Sequence, residues 1–205
     1  YSNWNPLKER NIWVNSYFAF TENAFTQFST IDSVGRRIYQ TVNVDGVTNG
    51  SISVDYGIKI PDTKWRLGAG PRATFNRNID FVRDAKTGAT VKNRTITNSY
   101  AIRLTASQYE KDKYQFYLSP NFSWNESKAS VNTTANAKYW QLSGWASGSV
   151  TLPKNFEIGT EINYELRQKD PRFPANNSYT TWNANIKKRV MKNELEIGFA
   201  VYDIL

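Results

Sequence analysis

Between Tyr114 and Trp124 the chain alternates without a fault. Tyr114, Phe116, Leu118, Pro120, Phe122 and Trp124 fall on one side, and Gln115, Tyr117, Ser119, Asn121 and Ser123 on the other. Successive side chains of a strand point to opposite faces, so a period of two predicts a β-strand here, set between two different solvents. The pattern recurs. Trp65, Leu67, Ala69, Pro71, Ala73 and Phe75 alternate with Arg66, Gly68, Gly70, Arg72 and Thr74. Ile96, Tyr100, Ile102 and Leu104 share one face against Thr97, Ser99, Arg103 and Thr105. Trp140, Leu142, Gly144, Ala146, Gly148, Val150 and Leu152 make a further strand; Phe156, Ile158, Ile162, Tyr164 and Leu166 the next. Trp182, Ala184, Ile186 and Val190 descend, and Leu195, Ile197, Phe199 and Val201 return.

The first third is less regular. Residues 1–10, with Pro6 and Lys8-Glu9-Arg10, read as a leading loop or the end of a strand. Residues 11–31 read as one strand with Ile12, Val14, Phe18, Phe20 and Phe28 outward and a blemish at Glu22-Asn23. Asp32-Ser33-Val34-Gly35-Arg36 is a turn, since Asp bonds its own backbone and Gly accepts a positive φ. Residues 37–60 return, and Asn43-Val44-Asp45-Gly46 is either a bulge or a second turn.

The connections alternate in length. Pro61-Asp62-Thr63-Lys64, Tyr109-Glu110-Lys111-Asp112, Leu152-Pro153-Lys154-Asn155 and Met191-Lys192-Asn193-Glu194 are tight turns. The stretches 83–92, 127–136 and 169–177 are longer and polar. Nine strands joined in this way are the signature of an antiparallel up-and-down transmembrane β-barrel, with short periplasmic turns and long extracellular loops. A tilted crossing needs about 9–11 residues, so longer strands project beyond the outer surface. Trp65, Tyr109, Trp140 and Trp182 are expected in interfacial belts. An up-and-down sheet of nine strands begins and ends at opposite rims, so its first and last strands are not expected to pair. The 205 residues then form part of a larger wall rather than a closed barrel.

Composition changes this picture little. A mean hydropathy of −0.61 excludes spanning helices, which need about 20 consecutive apolar residues. It does not exclude a barrel, whose lumen face dilutes the average. Aromatic residues make up 15% of the chain, enough for interfacial girdles. With no Cys and no His, thiol nucleophiles, thiolate metal sites and the commonest general base are all missing, and no enzyme activity or cofactor is expected. The net charge of +8 is spread over turns, loops and the lumen face, so nucleic acid is not an expected partner; an anionic outer leaflet is. The chain starts at Tyr1 rather than Met, which is expected of a processed precursor or an internal piece of a longer protein.

Two charged sets are candidates for function. Glu157, Glu161 and Glu165 lie four apart on one strand, all toward the lumen. A glycosidase needs two carboxyls about 5–10 Å apart, whereas four residues of strand separate them by about 13 Å. They are expected to pair with Arg167, Lys187 or neighbouring basic groups, an acidic metal site being the alternative. Arg66, Arg72 and Arg103 face the lumen from adjacent strands, where they would bind an anionic substrate or a plug carboxylate, or serve only barrel electrostatics. The Asn-x-Ser/Thr triplets at Asn93, Asn125, Asn132 and Asn176 are compositional in an Asn/Ser/Thr-rich chain.

Several motifs, in order, carry a resemblance. They are Asn43-Val44-Asp45-Gly46 with Pro61 beyond it, Tyr139-Trp140, Leu152-Pro153-Lys154-Asn155-Phe156-Glu157, Trp182-Asn183-Ala184, Lys192-Asn193-Glu194-Leu195-Glu196 and Val201-Tyr202-Asp203-Ile204-Leu205. Over residues 11–205 the chain resembles the C-terminal barrel region of the Bacteroidetes outer-membrane-protein β-barrel family, the TonB-dependent-receptor-like proteins. The resemblance implies a 22-stranded barrel in the bacterial outer membrane, of which this chain is a single segment, a plug and N-terminal domains lying upstream. It further implies TonB as energy source, outer-membrane lipid and other outer-membrane proteins as partners, and uptake of a bulky nutrient or binding within an assembly as function. Asp32-Ser33-Val34 also matches the Asp-Ser/Thr-apolar sequence that such bacteria O-glycosylate, with Ser33 the acceptor. Two rivals stand beside this reading. One is a self-contained small porin or structural barrel; the other is a soluble β-sandwich binding module, which would bury the apolar faces.

Overall fold

Each run of alternation from residue 47 onward becomes a strand. The computed structural model describes residues 2–7, 9–84, 87–131, 133–170, 178–191 and 194–204. Eight of its strands are β5 (Val47–Lys59), β6 (Trp65–Arg83), β7 (Thr90–Glu110), β8 (Tyr114–Ala129), β9 (Ala137–Leu152), β10 (Phe156–Arg167), β11 (Tyr179–Val190) and β12 (Leu195–Val201). All pair antiparallel with their chain neighbours. The turns after β5, β7, β9 and β11 share one edge of the sheet, and the longer connections after β6, β8 and β10 share the other, as expected. Residues 171–177 of the last loop and Lys192-Asn193 of the last turn lie outside the described residues, as do Asn132 and Asn176. Every short turn holds a residue with positive φ, namely Asp62, Asp112, Lys154 with Asn155, and Met191. A tight reversal favours this conformation, and among residues other than glycine Asp and Asn adopt it at least cost.

The start of the chain differs from expectation in two ways. Residues 2–7 are a strand, β1 (Ser2–Leu7), paired with β2 (Arg10–Thr21), so the sheet has ten strands rather than nine, in the order β1-β2-β5-β6-β7-β8-β9-β10-β11-β12. The long strands expected at 11–31 and 37–60 are also each broken once. β2 pairs with β5, and beyond the breaks β3 (Ala24–Ile31) pairs with β4 (Arg37–Val44) as a separate two-stranded sheet. Register is kept across the gap, for Thr21 faces Val47 and Ala24 faces Val44. Both strands therefore bend at one level. Asn23 takes φ 53° and Gly46 φ 90°, and the Asn23 N–H donates to the Asp45 carboxylate at 2.7 Å. Non-local contacts hold the bent hairpin. β3 packs on β6, Phe28 meets Phe81 edge-on at 5.2 Å, and Arg77 donates to the Gly46 carbonyl at 2.7 Å.

Parity also survives across the whole sheet. Phe122 faces Ile102 on β7 and Leu142 on β9; Ile102 faces Pro71, and Leu142 faces Leu166. One face is thus apolar over every strand from β6 to β12, and the other carries Gln115, Ser119, Asn121 and Ser123. Phe116, Phe122 and Trp124 are 39%, 47% and 41% exposed, so the apolar face covers no core. Among the described residues only two hydrophobic side chains, Val44 and Ile79, are buried. A soluble sandwich, which would bury this face, is thereby overturned. Two glycines of the face lie under aromatic rings of the next strand, Gly144 under Tyr164 and Gly50 under Phe18. Such rings cover a glycine's gap in the sheet and pin the register.

The tilt follows from the register. The line of facing residues from Trp65, where β6 begins, runs through Gln108, Phe116, Gly148 and Thr160 to Ala184 on β11. Ala184 is six residues short of the end of β11 at Val190. Six residues along a strand are about 20 Å and five strand spacings about 24 Å, a slant of about 40°. Barrel walls tilt by this amount. The sheet is open, because among the described residues no backbone pairing joins β12 to β1 or β2. The parity argument for openness does not survive ten strands, which leave β1 and β12 antiparallel; the pairing itself decides.

Candidate functional site

The polar face holds the charges that composition scatters along the sequence. On β6, Arg66, Gly68, Gly70 and Arg72 follow one another on this face, with Ser107, Thr105, Arg103 and Ala101 opposite on β7 and Lys59, Gly57, Asp55 and Ser53 on β5. The three arginines expected to share the lumen do so. Among the described residues none of them has an ion-pair or hydrogen-bond partner, while Lys59 reaches Glu9 at 3.4 Å. Arg66, Arg103 and Lys59, but not Arg72, line a cavity of about 440 Å³. Its floor is nearly bare backbone, because a side chain at Gly57, Gly68 or Gly70 would collide with Asn11, Thr105 or Asp55 lying across them. Four cations, Arg10, Lys59, Arg66 and Arg103, thus line a hollow together with two carboxylates, Glu9 and Asp55. Lys59 and Asp55 were not singled out in the sequence, although parity from Tyr56 and Ile58 places both on this face.

The acidic set lies farther along the same face. Glu157, Glu161 and Glu165 face Thr151, Ser147 and Ser143 of β9. Glu157 pairs with a basic group of the neighbouring strand, as expected, whereas Glu161 and Glu165 do not pair with a base. Glu157 takes Arg189 at 3.1 Å, Glu161 accepts from Asn163 at 2.9 Å, and Glu165 accepts from Tyr179 at 3.4 Å. Arg167 instead lies 3.9 Å over the Tyr139 ring, and Lys187, although opposite Glu157, reaches Glu196 at 3.5 Å. Arg189 bridges its two neighbouring strands, to Glu157 on β10 at 3.1 Å and to Glu196 on β12 at 3.2 Å, and Lys187 shares Glu196 with it. Among the described residues no three acidic side chains converge as a metal site would require.

The apolar face carries the girdles. Phe75, Tyr100, Trp124 and Trp140 form an upper row, with Phe75 and Tyr100 edge-on at 6.0 Å. Trp65 and Phe116 meet at 5.8 Å near the short turns. From Tyr114 to Trp124 is about 33 Å of strand, or about 25 Å of height at this tilt, the apolar band of an outer-membrane barrel. Leu67, Ala69, Pro71 and Ala73 on β6 are typical of the band; Lys188 on β11 falls on this face near the short turns, its ammonium 4.6 Å over the Phe156 ring. Trp182, toward the upper belt, donates its indole N–H to Thr160 at 2.8 Å. Tyr109 departs from expectation. It faces Gln115 and so belongs to the polar face at the lower rim. Ser33 is exposed at the tip of the β3–β4 hairpin, beside an Asp32 carboxylate that accepts from the Val34 and Arg36 N–H groups at 3.0 and 2.8 Å.

Comparison with known proteins agrees with this geometry. No curated protein and no solved structure matches the chain. A family model, described as the outer membrane protein beta-barrel family, matches residues 71–205, about two thirds of the length. Those residues hold the open, tilted, two-faced sheet from β6 onward, whose apolar face is the lipid side and whose polar face is the lumen side. The chain belongs to the outer membrane protein beta-barrel family.

Proposed function

We propose that this chain is a wall sector of a large TonB-dependent-receptor-like barrel that takes up a bulky nutrient or binds it within an outer-membrane assembly. In this reading the role is passage and binding rather than chemistry. The observation that carries it is the pair of unpartnered guanidiniums, Arg66 and Arg103, that line the glycine-floored hollow, with Arg72 unpartnered beyond it on the same face. Guanidiniums prefer bidentate carboxylate partners. A lumen with three of them unsatisfied suits an occupant that carries carboxylates, either a plug within the barrel or an anionic solute in transit. An open porin needs no such occupant.

Conductance of the full-length protein in planar bilayers separates the two. A plugged receptor gives little steady current until urea loosens the plug, and closes again on removal of denaturant. The variant Arg66→Ala/Arg103→Ala is expected to open at lower urea. Steady current without denaturant, unchanged in the variant, would favour the small porin.

A further inference from the structure

Two rows of facing residues cross the lumen side of the wall with opposite charges at their ends. In one, Arg103 faces Asn121, Asn121 faces Ser143, and Ser143 faces Glu165. In the other, Arg66 faces Ser107, and Tyr117, Ser147 and Glu161 follow in line. Every residue between the ends is uncharged. Among the described residues Arg66 and Arg103 have no partner, while Glu161 and Glu165 accept only from the Asn163 amide and the Tyr179 hydroxyl, neither of which neutralises a carboxylate. Between the charges lie rings. Tyr117 and Trp145 meet at 4.9 Å with their planes 41° apart, the one ring pair among the described residues that lies on the lumen face. Trp145 faces Ser119 and Asn163 and is 38% exposed. Apolar ring surface turned to a hydrated lumen is a standing cost until something covers it.

Length and charge together decide what fits. Three strand spacings separate Arg103 from Glu165 and four separate Arg66 from Glu161, about 14 and 19 Å along the wall. An extended peptide of four or five residues spans about 13–18 Å. A polyanion leaves the carboxylate end of each row unmatched, a polycation the guanidinium end, and a neutral saccharide both. A peptide with free termini matches each part of the wall. Its carboxylate takes a guanidinium in forked hydrogen bonds, and its ammonium takes a glutamate. Its side chains seat on the Tyr117 and Trp145 rings, and the hydroxyls and amides of Asn121, Ser143 and Asn163 meet its backbone groups. We infer that the lumen face of β6 to β10 binds a zwitterionic oligopeptide of about four or five residues, laid across the strands with its C-terminus at Arg66 and Arg103 and its N-terminus at Glu161 and Glu165. The inference rests on the reading of the lumen as a passage, and it narrows the bulky nutrient to a peptide.

The test is calorimetric titration of the full-length protein in detergent with a synthetic pentapeptide of alanine and phenylalanine, bearing free ends, an acetylated N-terminus or an amidated C-terminus. Blocking either end should weaken binding to the wild type by about tenfold. A free tripeptide, about 10 Å long, cannot reach both charges and should bind as weakly as the blocked forms. In Arg66→Gln/Arg103→Gln amidation should have no further effect while acetylation still weakens binding; in Glu161→Gln/Glu165→Gln the dependence should reverse. Trp145→Leu should weaken all three forms alike. If a variant fails to fold, judged by its gel mobility before and after heating, the blocked peptides on the wild type still decide, and binding of the free peptide must fall from about 50 to about 500 mM salt. No binding of the free peptide, equal binding of the blocked forms, an acetylation penalty that survives in the glutamate variant, or a neutral pentasaccharide held as tightly would overturn the inference. Each of these results leaves the urea-dependent conductance untouched, so failure here is told apart from failure of the passage reading.

Discussion

Leu118 and Ser119 are chain neighbours that the fold sends to opposite solvents. Leu118 faces Ala106 and Ala146 on the apolar side, four residues above Tyr114 and six below Trp124, which puts it about 10 Å above the lower end of a band about 25 Å tall. Ser119 faces Trp145 on the lumen side. An arginine at Leu118 must place its charge near the bilayer midplane, at a cost of about 2–4 kcal/mol. An arginine at Ser119 enters a hydrated lumen that already holds arginines, and should cost no more than about 0.5 kcal/mol, as surface substitutions do. Urea titration of the full-length protein in lipid vesicles, followed by tryptophan fluorescence, reads both. Leu118→Arg should lower the folding equilibrium constant by about 30- to 1,000-fold at ~1.4 kcal/mol per tenfold, while Ser119→Arg stays within about twofold. Because the sites are adjacent, strand propensity and local packing are common to both and only the direction of the side chain differs. A Ser119→Arg loss equal to or greater than that of Leu118→Arg would refute the assignment of faces, and with it the lipid-facing role of the aromatic row.

Two further outcomes rest on local geometry. In Gly144→Ala the new methyl group would sit 2.5 Å from the Tyr164 hydroxyl and 2.8 Å from the Ser119 carbonyl, so ring and backbone must both shift; a loss of about 1–3 kcal/mol is expected in the same urea titration, and a neutral result would show that the ring does not cover the glycine. At the hairpin tip, hydrogen bonds from the Arg36 backbone and side chain and from the Val34 N–H hold the Asp32 carboxyl below its ordinary value of 3.8. A depressed folded-state value means that the tip gains stability above the unfolded pKa and loses it as pH falls through the folded one. Hydrogen exchange at the Val34 and Arg36 amides should therefore quicken, beyond its intrinsic pH trend, only below about pH 4, and Asp32→Asn should abolish that excess.

The wall was legible in the sequence because its two faces meet different solvents. Wherever lipid lies opposite lumen, as from Trp65 to Val201, period two is enforced at nearly every position and register follows from it. What escaped had another cause. β1 carries Pro6 and a charged turn that hides a strand of six residues. The bend was visible as polar pairs, Glu22-Asn23 and Asp45-Gly46, but whether such pairs bulge or fold over depends on Phe81 and Arg77, more than thirty residues from Gly46. Tyr109 misled by residue type: an aromatic near a strand end suggests a girdle, yet its odd number places it with Arg103 and Thr105 on the lumen side. The arginine cluster was legible from parity alone. The individual partners of the glutamates were not, since Arg189 and Lys187 each have carboxylates within reach on both neighbouring strands.

The bend at Asn23 and Gly46 also insulates. A strand obeys period two only while its ladder is continuous, and here the ladder is interrupted in both strands at the same level with the register intact. A residue gained or lost in the hairpin beyond that point would turn over the faces of β3 and β4 alone, leaving β2 and β5 aligned with the lipid. The hairpin folded over β6 can thus vary in length and sequence without any change to the register of the wall that carries it. Variation among related chains should accordingly pile up between residues 24 and 44 and fall away sharply on either side.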